Sequence, residues 1–376
     1  MGATHTRKGV VHIRAEGEGA YSLPRLLLPD RSKKFLNPTR PAPGHPKGYV
    51  TDIRLTLERA ARGLKDIFRD IPIKERKAVH KTVGICAPGA WLAEGIPYKG
   101  TVPNLPDLEG FKLAEEFPRF MGEDWKAVVA NDGVANVLAI AHALVAQRDK
   151  FPQVRDALSA CGRIAGFIPG TGFGGGALWV EGGRMTPVPG PQQFFDLILD
   201  EGEGRIRPGF LTPEDLATGE GLRLQAIRDD ILRRRFRPDE LSGDGLALLA
   251  EHGEAPIREA ARGLYRRAGQ ALAKTMLLTH EGGAEGVSRK AVVNDPPELE
   301  TEFWANVKGT RVFILGGWLM SRPAKDHAWP TMNEWIHRSG RPIVTVAADE
   351  IPGVRELLAS DAAGLVGAAL LCQSGR

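Results

Sequence analysis

The stretch Lys126-Ala127-Val128-Val129-Ala130-Asn131-Asp132-Gly133, running on through Val134 to Ala146, decides the fold class. Ala127 to Ala130 read as a buried strand, and the turn-forming Asn131-Asp132-Gly133 ends it. The following run of Ala, Leu, Val and Ile reads as a helix whose small residues pack closely on a sheet. A carboxylate at such a junction is held on a rigid element at a strand end. There it suits a general base that accepts a proton from a substrate hydroxyl, as phosphoryl transfer requires. Asn131 is placed to hydrogen-bond the same substrate. An Asp before a helix also serves as an N-cap, and the residues alone leave both roles open.

Working outward, Val83-Gly84-Ile85-Cys86-Ala87 is a second buried strand, closed by Pro88-Gly89. Arg163 to Ile168 is a third. It is interrupted by Gly170-Thr171-Gly172-Phe173-Gly174-Gly175-Gly176, and strand character resumes over Ala177–Val180 before the Gly182-Gly183 turn. Val312–Leu315, ending at Gly316-Gly317, and Ile343–Val346 complete the strong strands. Helices are expected over Val50–Arg69, Pro213–Arg235, Pro256–His280 and Ala362–Cys372, and a polar, glycine-rich insertion loop over 281–309. Before residue 50, Val10–Ile13 and Leu26–Leu28 read as short strands and Asn37–Pro46 as a proline-rich loop. Strands alternating with helices give an α/β protein. The glycine and polar signals fall at strand C-termini, where open α/β sheets place their ligands.

The glycine cluster has its own chemistry. Glycine lets backbone N–H groups approach an anion closely, and Thr171 adds a hydroxyl donor. Gly170, Gly172 and Gly175 formally spell GxGxxG. A strand follows instead of a helix, which argues against a dinucleotide fold, and no Gly-Lys-Ser/Thr makes it a P-loop. A glycine-rich hairpin turn is the plain alternative. Gly316-Gly317 would let a flat ring lie against backbone, or would simply turn the chain.

Composition narrows the classes. The chain has 376 residues, 42% hydrophobic and 26% charged, which is ordinary for a globular protein with a sizeable core. At roughly 150 residues per domain it suggests two domains. Fifty basic against 46 acidic residues leave a net charge of +4, no electrostatic case for a nucleic-acid binder. No apolar run of about 18 residues suggests a membrane span, and Met1–Arg14 lacks the apolar run of a secretory signal. Cys86, Cys161 and Cys372 form no CxxC pair, so a reducing, cytoplasmic setting is expected. The nine histidines show no paired-ligand spacing, so no metal site is expected. Arg233-Arg234-Arg235 with Arg237 reads as a solvated face.

The order of these pieces resembles the ROK family of bacterial sugar kinases, in the actin, sugar kinase and Hsp70 superfamily. Val83–Gly89 is similar to the family's strand ending in Pro-Gly. Pro103-Asn104-Leu105-Pro106 and Gly110–Glu116 are similar to its sugar-loop segment. Asn131-Asp132 matches its Asn-Asp pair, with Ala135-Asn136 two residues later than in the family pattern. Gly170–Gly176 resembles its second phosphate motif, Pro213–Gly219 its "LE…SG" segment, Gly316-Gly317 its adenosine motif, and Gly364–Ala369 its closing helix. The resemblance runs from about Val50 to Cys372.

The resemblance implies a two-domain actin-like, ribonuclease H-like ATPase fold, α/β, with mixed sheets flanked by helices and a cleft between domains. Residues 1–130 would form the first domain, joined by the final helix 362–376, and 131–361 the second. It implies an ATP- and Mg²⁺-dependent kinase acting on a sugar or sugar-like polyol, with a homodimer as its assembly. Asp132 would be the catalytic base. Asn104, Asn131 and Glu214 would hold sugar hydroxyls. Gly170, Thr171, Gly172 and Gly174 would bind phosphates, and Gly316 and Gly317 would flank adenosine. Three family features are missing. There is no DxGGT phosphate hairpin, Gly17-Glu18-Gly19 lacking its Asp and Thr. Gly190-Pro191-Gln192-Gln193 stands where a Gly-Glu-x-Gly-His segment belongs. The CxCGxxGC motif is absent, so no structural zinc is expected. The lost hairpin supports a second reading, a pseudokinase that binds sugar or regulates. No helix-turn-helix precedes the kinase-like part, which argues against a DNA-binding repressor.

Overall fold

A computed structural model describes residues 5–12, 25–27, 34–43, 49–76, 80–89, 91, 95–97, 105–122, 124–190, 192, 194–205, 208–283, 297–359 and 362–374. Six short strands come first: β1 (His5–Thr6), β2 (Val10–His12), β3 (Arg25–Leu27), β4 (Phe35–Leu36), β5 (Thr39–Pro41) and β6 (Tyr49–Thr51). They pair antiparallel as β1–β4, β2–β3 and β5–β6. Thus part of the expected proline-rich loop is a strand, with Pro41 at its end, where a missing donor is tolerated. Helix α1 (Ile53–Asp70) starts later than Val50 because Tyr49–Thr51 pairs with β5 and Asp52 caps the helix, accepting the Leu55 N–H at 2.9 Å. Ile13, Leu28 and Gly17-Glu18-Gly19 lie outside the described residues.

Next come α2 (Ile73–Arg76), β7 (Thr82–Ala87), α3 (Leu113–Met121), β8 (Lys126–Asn131), α4 (Asp132–Ala146) and α5 (Pro152–Cys161). β7 and β8 are parallel, with Ala87 opposite Asn131, so both strands finish at the same level. α1 and α3 cover them through Ile53, Leu57, Leu113 and Phe117, which pack around Ile85.

β9 (Arg163–Pro169), β10 (Phe173–Glu181) and β11 (Arg184–Pro187) follow, then β12 (Asp200–Glu201) and β13 (Phe210–Leu211), which pair antiparallel. Helices α6 (Pro213–Leu216), α7 (Gly219–Arg228), α8 (Gly243–His252), α9 (Ala255–Glu281) and α10 (Pro297–Val307) lead to β14 (Val312–Leu315). The chain continues through α11 (Trp329–Ser339), β15 (Val344–Ala347), α12 (Val354–Ala359) and α13 (Ala363–Ser374). The main sheet runs β11-β10-β9-β14-β15, with β9, β14 and β15 parallel and the β10–β11 hairpin antiparallel.

Alternation along β14 sorts the core into two layers. Val312 and Ile314 face the cluster built on α4, while Phe313 and Leu315 face the aromatic cluster of Phe167, Phe194, Phe303 and Trp304. α4 is apolar all round and accordingly buried. It is covered on one side by β9 and β10 and on another by α13. The α13 contact is backbone-close: a Cβ on Gly367 would stand 1.7 Å from the Ala135 carbonyl oxygen, and one on Gly84 1.7 Å from that of Ala368.

Three local expectations need correction. The glycine cluster does not interrupt the strand as far as Ala177. Only residues 170–172 turn, and β10 runs straight through Gly174-Gly175-Gly176. The single helix expected over Pro213–Arg235 is two short ones, because Thr218 leaves helical geometry and caps α7 on the Gly221 N–H at 2.9 Å. The expected insertion loop ends in α10, whose Phe303, Trp304 and Val307 are core residues. Among the described residues no helix is long and apolar enough to cross a membrane.

Candidate functional site

The junction of β8 and α4 puts Asn131 and Asp132 in different roles. Asn131 is the N-cap: its Oδ1 accepts the Gly133 N–H at 2.7 Å and the Val134 N–H at 3.3 Å. Its Nδ2 donates to the Gly89 carbonyl at 2.7 Å, which ties α4 to the end of β7. Among the described residues its second Nδ2 hydrogen has no partner. Asp132 is therefore the first helical residue, with an exposed side chain, and among the described residues its Oδ1 accepts only the neighbouring Gly133 N–H at 2.9 Å. Capping, the plain explanation for a carboxylate here, is performed by its neighbour.

The first turn of α4 sits directly on β10. A Cβ on Gly133 would lie 2.7 Å from the Gly175 backbone, and one on Gly176 would lie 2.8 Å from the Val134 Cα. Glycine at 133 and 176 is thus a packing requirement. Gly174, also in the strand, is paired opposite Ile168. The rest of the cluster is different. Gly170, Thr171 and Gly172 are exposed, a Cβ on Gly170 would meet nothing within 4 Å, and one on Gly172 would make ordinary contact at 3.4 Å. The fold does not need glycine at these two places, and the Gly170 N–H is already spent on the Gly172 carbonyl at 2.9 Å. Among the described residues the Thr171 and Gly172 N–H groups have no hydrogen-bond partner.

The turn is held by its neighbours. The Gly219 N–H at the start of α7 donates to the Gly170 carbonyl at 2.8 Å, and the Phe173 N–H donates to Glu214 Oε2 at 2.7 Å. Glu214 Oε1 accepts from Arg205 Nη2 at 2.8 Å. Glu214 is largely buried, and desolvation pushes its carboxyl above the usual range. The Phe173 N–H and the Arg205 guanidinium oppose that rise, while the Asp215 carboxylate adds to it. Sequence reasoning passed over Arg205, because nothing in the polar stretch around it marks one arginine.

Gly316 and Gly317 follow β14. The Gly316 N–H donates to the Phe167 carbonyl at 2.9 Å, and Gly317 has φ +65° with the Pro169 carbonyl oxygen 2.1 Å from where a Cβ would stand. Only glycine fits at 317. Gly316 has room for a side chain against Ile168 and Ala348. This pair therefore touches the last residue of β9, next to the Gly170–Gly172 turn. Asn104 lies outside the described residues. Gln192, in the segment that replaces the Gly-Glu-x-Gly-His pattern, has φ +53° and spends its side chain on the fold. Its Oε1 accepts the Ala177 N–H and its Nε2 donates to the Val188 carbonyl, each at 2.6 Å.

No family model matches the sequence, and no curated protein matches it. Solved structures do. The ROK hexokinase of Thermus thermophilus superposes with a TM-score of 0.57 at 20% identity, over 99% of this chain and 95% of that one. A ROK-family glucokinase from Streptomyces griseus, solved with glucose and AMPPNP, gives 0.53 at 18% identity over 98% and 96%. A ROK-family transcriptional regulator, a homologue of the E. coli MLC protein, gives 0.50 at 14% over 97% and 81%. The chain has the fold of the ROK sugar kinases, an actin-like ATPase fold.

Proposed function

We propose that the protein is an ATP-dependent phosphotransferase that phosphorylates a hydroxyl of a sugar or sugar-like polyol. The observation that carries this reading is the division of labour at the head of α4. Asn131 caps the helix and leaves the Asp132 carboxylate exposed, on the helix turn seated against the strand that leads from the Gly170–Gly172 turn. In this reading Asp132 takes the proton of the acceptor hydroxyl as its oxygen attacks the terminal phosphorus, while the bond from that phosphorus to the bridging oxygen breaks and ADP leaves. Asn131 offers its remaining amide hydrogen to a neighbouring hydroxyl, and Asn104 is assigned to the same sugar. The Thr171 and Gly172 N–H groups and the Thr171 hydroxyl receive the nucleotide phosphates, with Gly174 setting the strand behind them. Gly316 and Gly317 give adenosine a backbone surface. Mg²⁺ travels with the nucleotide and spreads the charge of its phosphates. Glu214 enters through the turn it holds as well as through any sugar contact. The two solved ROK kinases and three free cysteines support a sugar kinase working in a reducing cytoplasm, and a homodimer belongs to the same reading.

The test is phosphate transfer from MgATP to a panel of hexoses, amino sugars and cyclitols, with Asp132→Asn as control. Transfer to one of them, lost in a folded Asp132→Asn protein, is the expected result. Equal transfer by the variant would remove Asp132 as the base. A second reading is a sugar-binding or regulatory protein on the same fold. The sequence favours it in one respect, since Gly17-Glu18-Gly19 cannot supply the Asp and Thr of a first phosphate hairpin, and the regulator of like fold supports it. Saturable sugar binding with no turnover at millimolar MgATP would select that reading.

A further inference from the structure

The Gly170–Gly172 turn offers an anion backbone dipoles and one hydroxyl. A nucleoside triphosphate carries several negative charges, and a site for it calls for a cation near that backbone. Among the described residues a guanidinium stands there. Arg205 Nη2 is 2.8 Å from Glu214 Oε1, and a Cβ on Gly172 would lie 3.4 Å from that same oxygen. The other Glu214 oxygen holds the Phe173 N–H. The order across the site is therefore turn, carboxylate, guanidinium, each touching the next.

Arg205 is anchored at one end and open at the other. Its backbone N–H donates to Asp215 Oδ1 at 2.8 Å, and Asp215 Oδ2 is gripped by the Thr212 N–H at 3.1 Å and hydroxyl at 2.8 Å. Its side chain keeps 36% exposure, against 14% for that of Glu214. A guanidinium has five donors in a planar fork, so one nitrogen can stay on Glu214 while others face an oxyanion.

From this juxtaposition we infer that Arg205 is a phosphate-binding residue, which contacts the nucleotide phosphates when they occupy the Gly170–Gly172 turn. The inference rests on the phosphotransferase reading and extends it. It supplies a positive group to a site whose sequence lacks the DxGGT hairpin. Glu214 then has two tasks: it fixes the turn through Phe173, and it stores the guanidinium beside the turn until the phosphates arrive. The competing role for Arg205 is mere neutralisation of Glu214, and the two roles separate cleanly in a double-mutant cycle.

The experiment is calorimetric binding of MgATP, MgADP and adenosine to the full chain and to Arg205→Met, Glu214→Gln and the double variant, each first shown to be folded by its melting transition. Arg205→Gln replaces Arg205→Met if the latter does not fold. Loss of a charge-assisted contact should weaken MgATP and MgADP about ten- to a hundredfold and leave adenosine unchanged. The same loss should persist in the Glu214→Gln background. An Arg205 effect that vanishes when Glu214 is neutral would show neutralisation only and overturn the inference. So would equal losses of ATP and adenosine, which would mean a displaced turn. Binding of MgATP by the parent protein with no Arg205 effect overturns the inference and leaves the nucleotide reading standing. Absence of any nucleotide binding by the parent protein overturns the nucleotide reading itself, and Arg205's role with it.

Discussion

The Asn131 side chain bridges the head of α4 to Gly89, donating to its carbonyl at 2.7 Å while its oxygen takes two helix N–H groups. The next side chain, Asp132, is exposed and free of that duty. Neighbouring residues should therefore fail differently. Asn131→Ala removes a cap and a cross-link between β7 and α4, and should cost about 1 kcal/mol of stability or somewhat more. Asp132→Asn should leave the denaturation midpoint nearly unchanged and lower turnover by about 10²–10⁴-fold, the range for removing a general base. Chemical denaturation and steady-state assays on both proteins check this. A large loss of stability in Asp132→Asn would return the carboxylate to a structural role.

The glycine cluster makes a second contrast. Gly176→Ala would drive a methyl group to 2.8 Å from the Val134 Cα, and overpacking of that kind costs about 1–3 kcal/mol. Gly170→Ala meets open space and should stay within about 0.5 kcal/mol of the parent. Its methyl group would stand on the surface offered to phosphates, so affinity for MgATP should fall while stability holds. Denaturation and nucleotide titration of the two variants test the division. Equal affinity in Gly170→Ala would place the phosphates elsewhere.

Much of this arrangement is legible in the sequence, for a physical reason. The parallel strands are buried on both faces and so read as unbroken apolar runs, as in Val312–Leu315. Their ends are marked by Asn131, Gly170 and Gly316, each within a residue or two of a strand. α11 escaped because Pro330 reads as a breaker, although proline in a first helical turn is tolerated. α10 escaped because polar neighbours on both sides hide Phe303 and Trp304. At the site, what no local pattern reveals is pairing at a distance. Arg205 meets Glu214 nine residues on, and the Gln192 amide closes on Ala177 fifteen residues back. Both contacts exist only once the β10–β11 hairpin and α6 are in place.

Burial also silences a thiol. Cys372 lies on α13, where desolvation pushes its pKa up to about 12, and its Sγ is 3.6 Å from the Ala368 carbonyl oxygen. At pH 8 a thiol of that kind is thiolate in only about one molecule in ten thousand, and thiolate is the reactive form. Timed alkylation with iodoacetamide, read by peptide mass mapping, should find Cys372 unlabelled in the native protein and fully labelled in denaturant. Fast native labelling would mean that α13 leaves α4 on the timescale of the reaction.

The Glu214 carboxyl gives the stability a defined pH dependence. Its folded pKa is raised, chiefly by burial, so the native state holds this proton more tightly than the unfolded chain does. The stabilisation from that proton is complete below about pH 4.3, the ordinary glutamate value, and is lost as pH rises through the folded value. Glu214→Gln keeps an acceptor for the Phe173 N–H and cannot ionise. The difference in stability between parent and variant should therefore change with pH, moving against the parent as pH rises from about 4 towards neutrality. Melting curves of both proteins across that range, in one buffer series at constant ionic strength, measure the difference directly. Curves that stay parallel throughout would mean that Arg205 and the Phe173 N–H fully offset the burial of the carboxylate, and that holding the glycine turn costs the folded protein nothing at neutral pH.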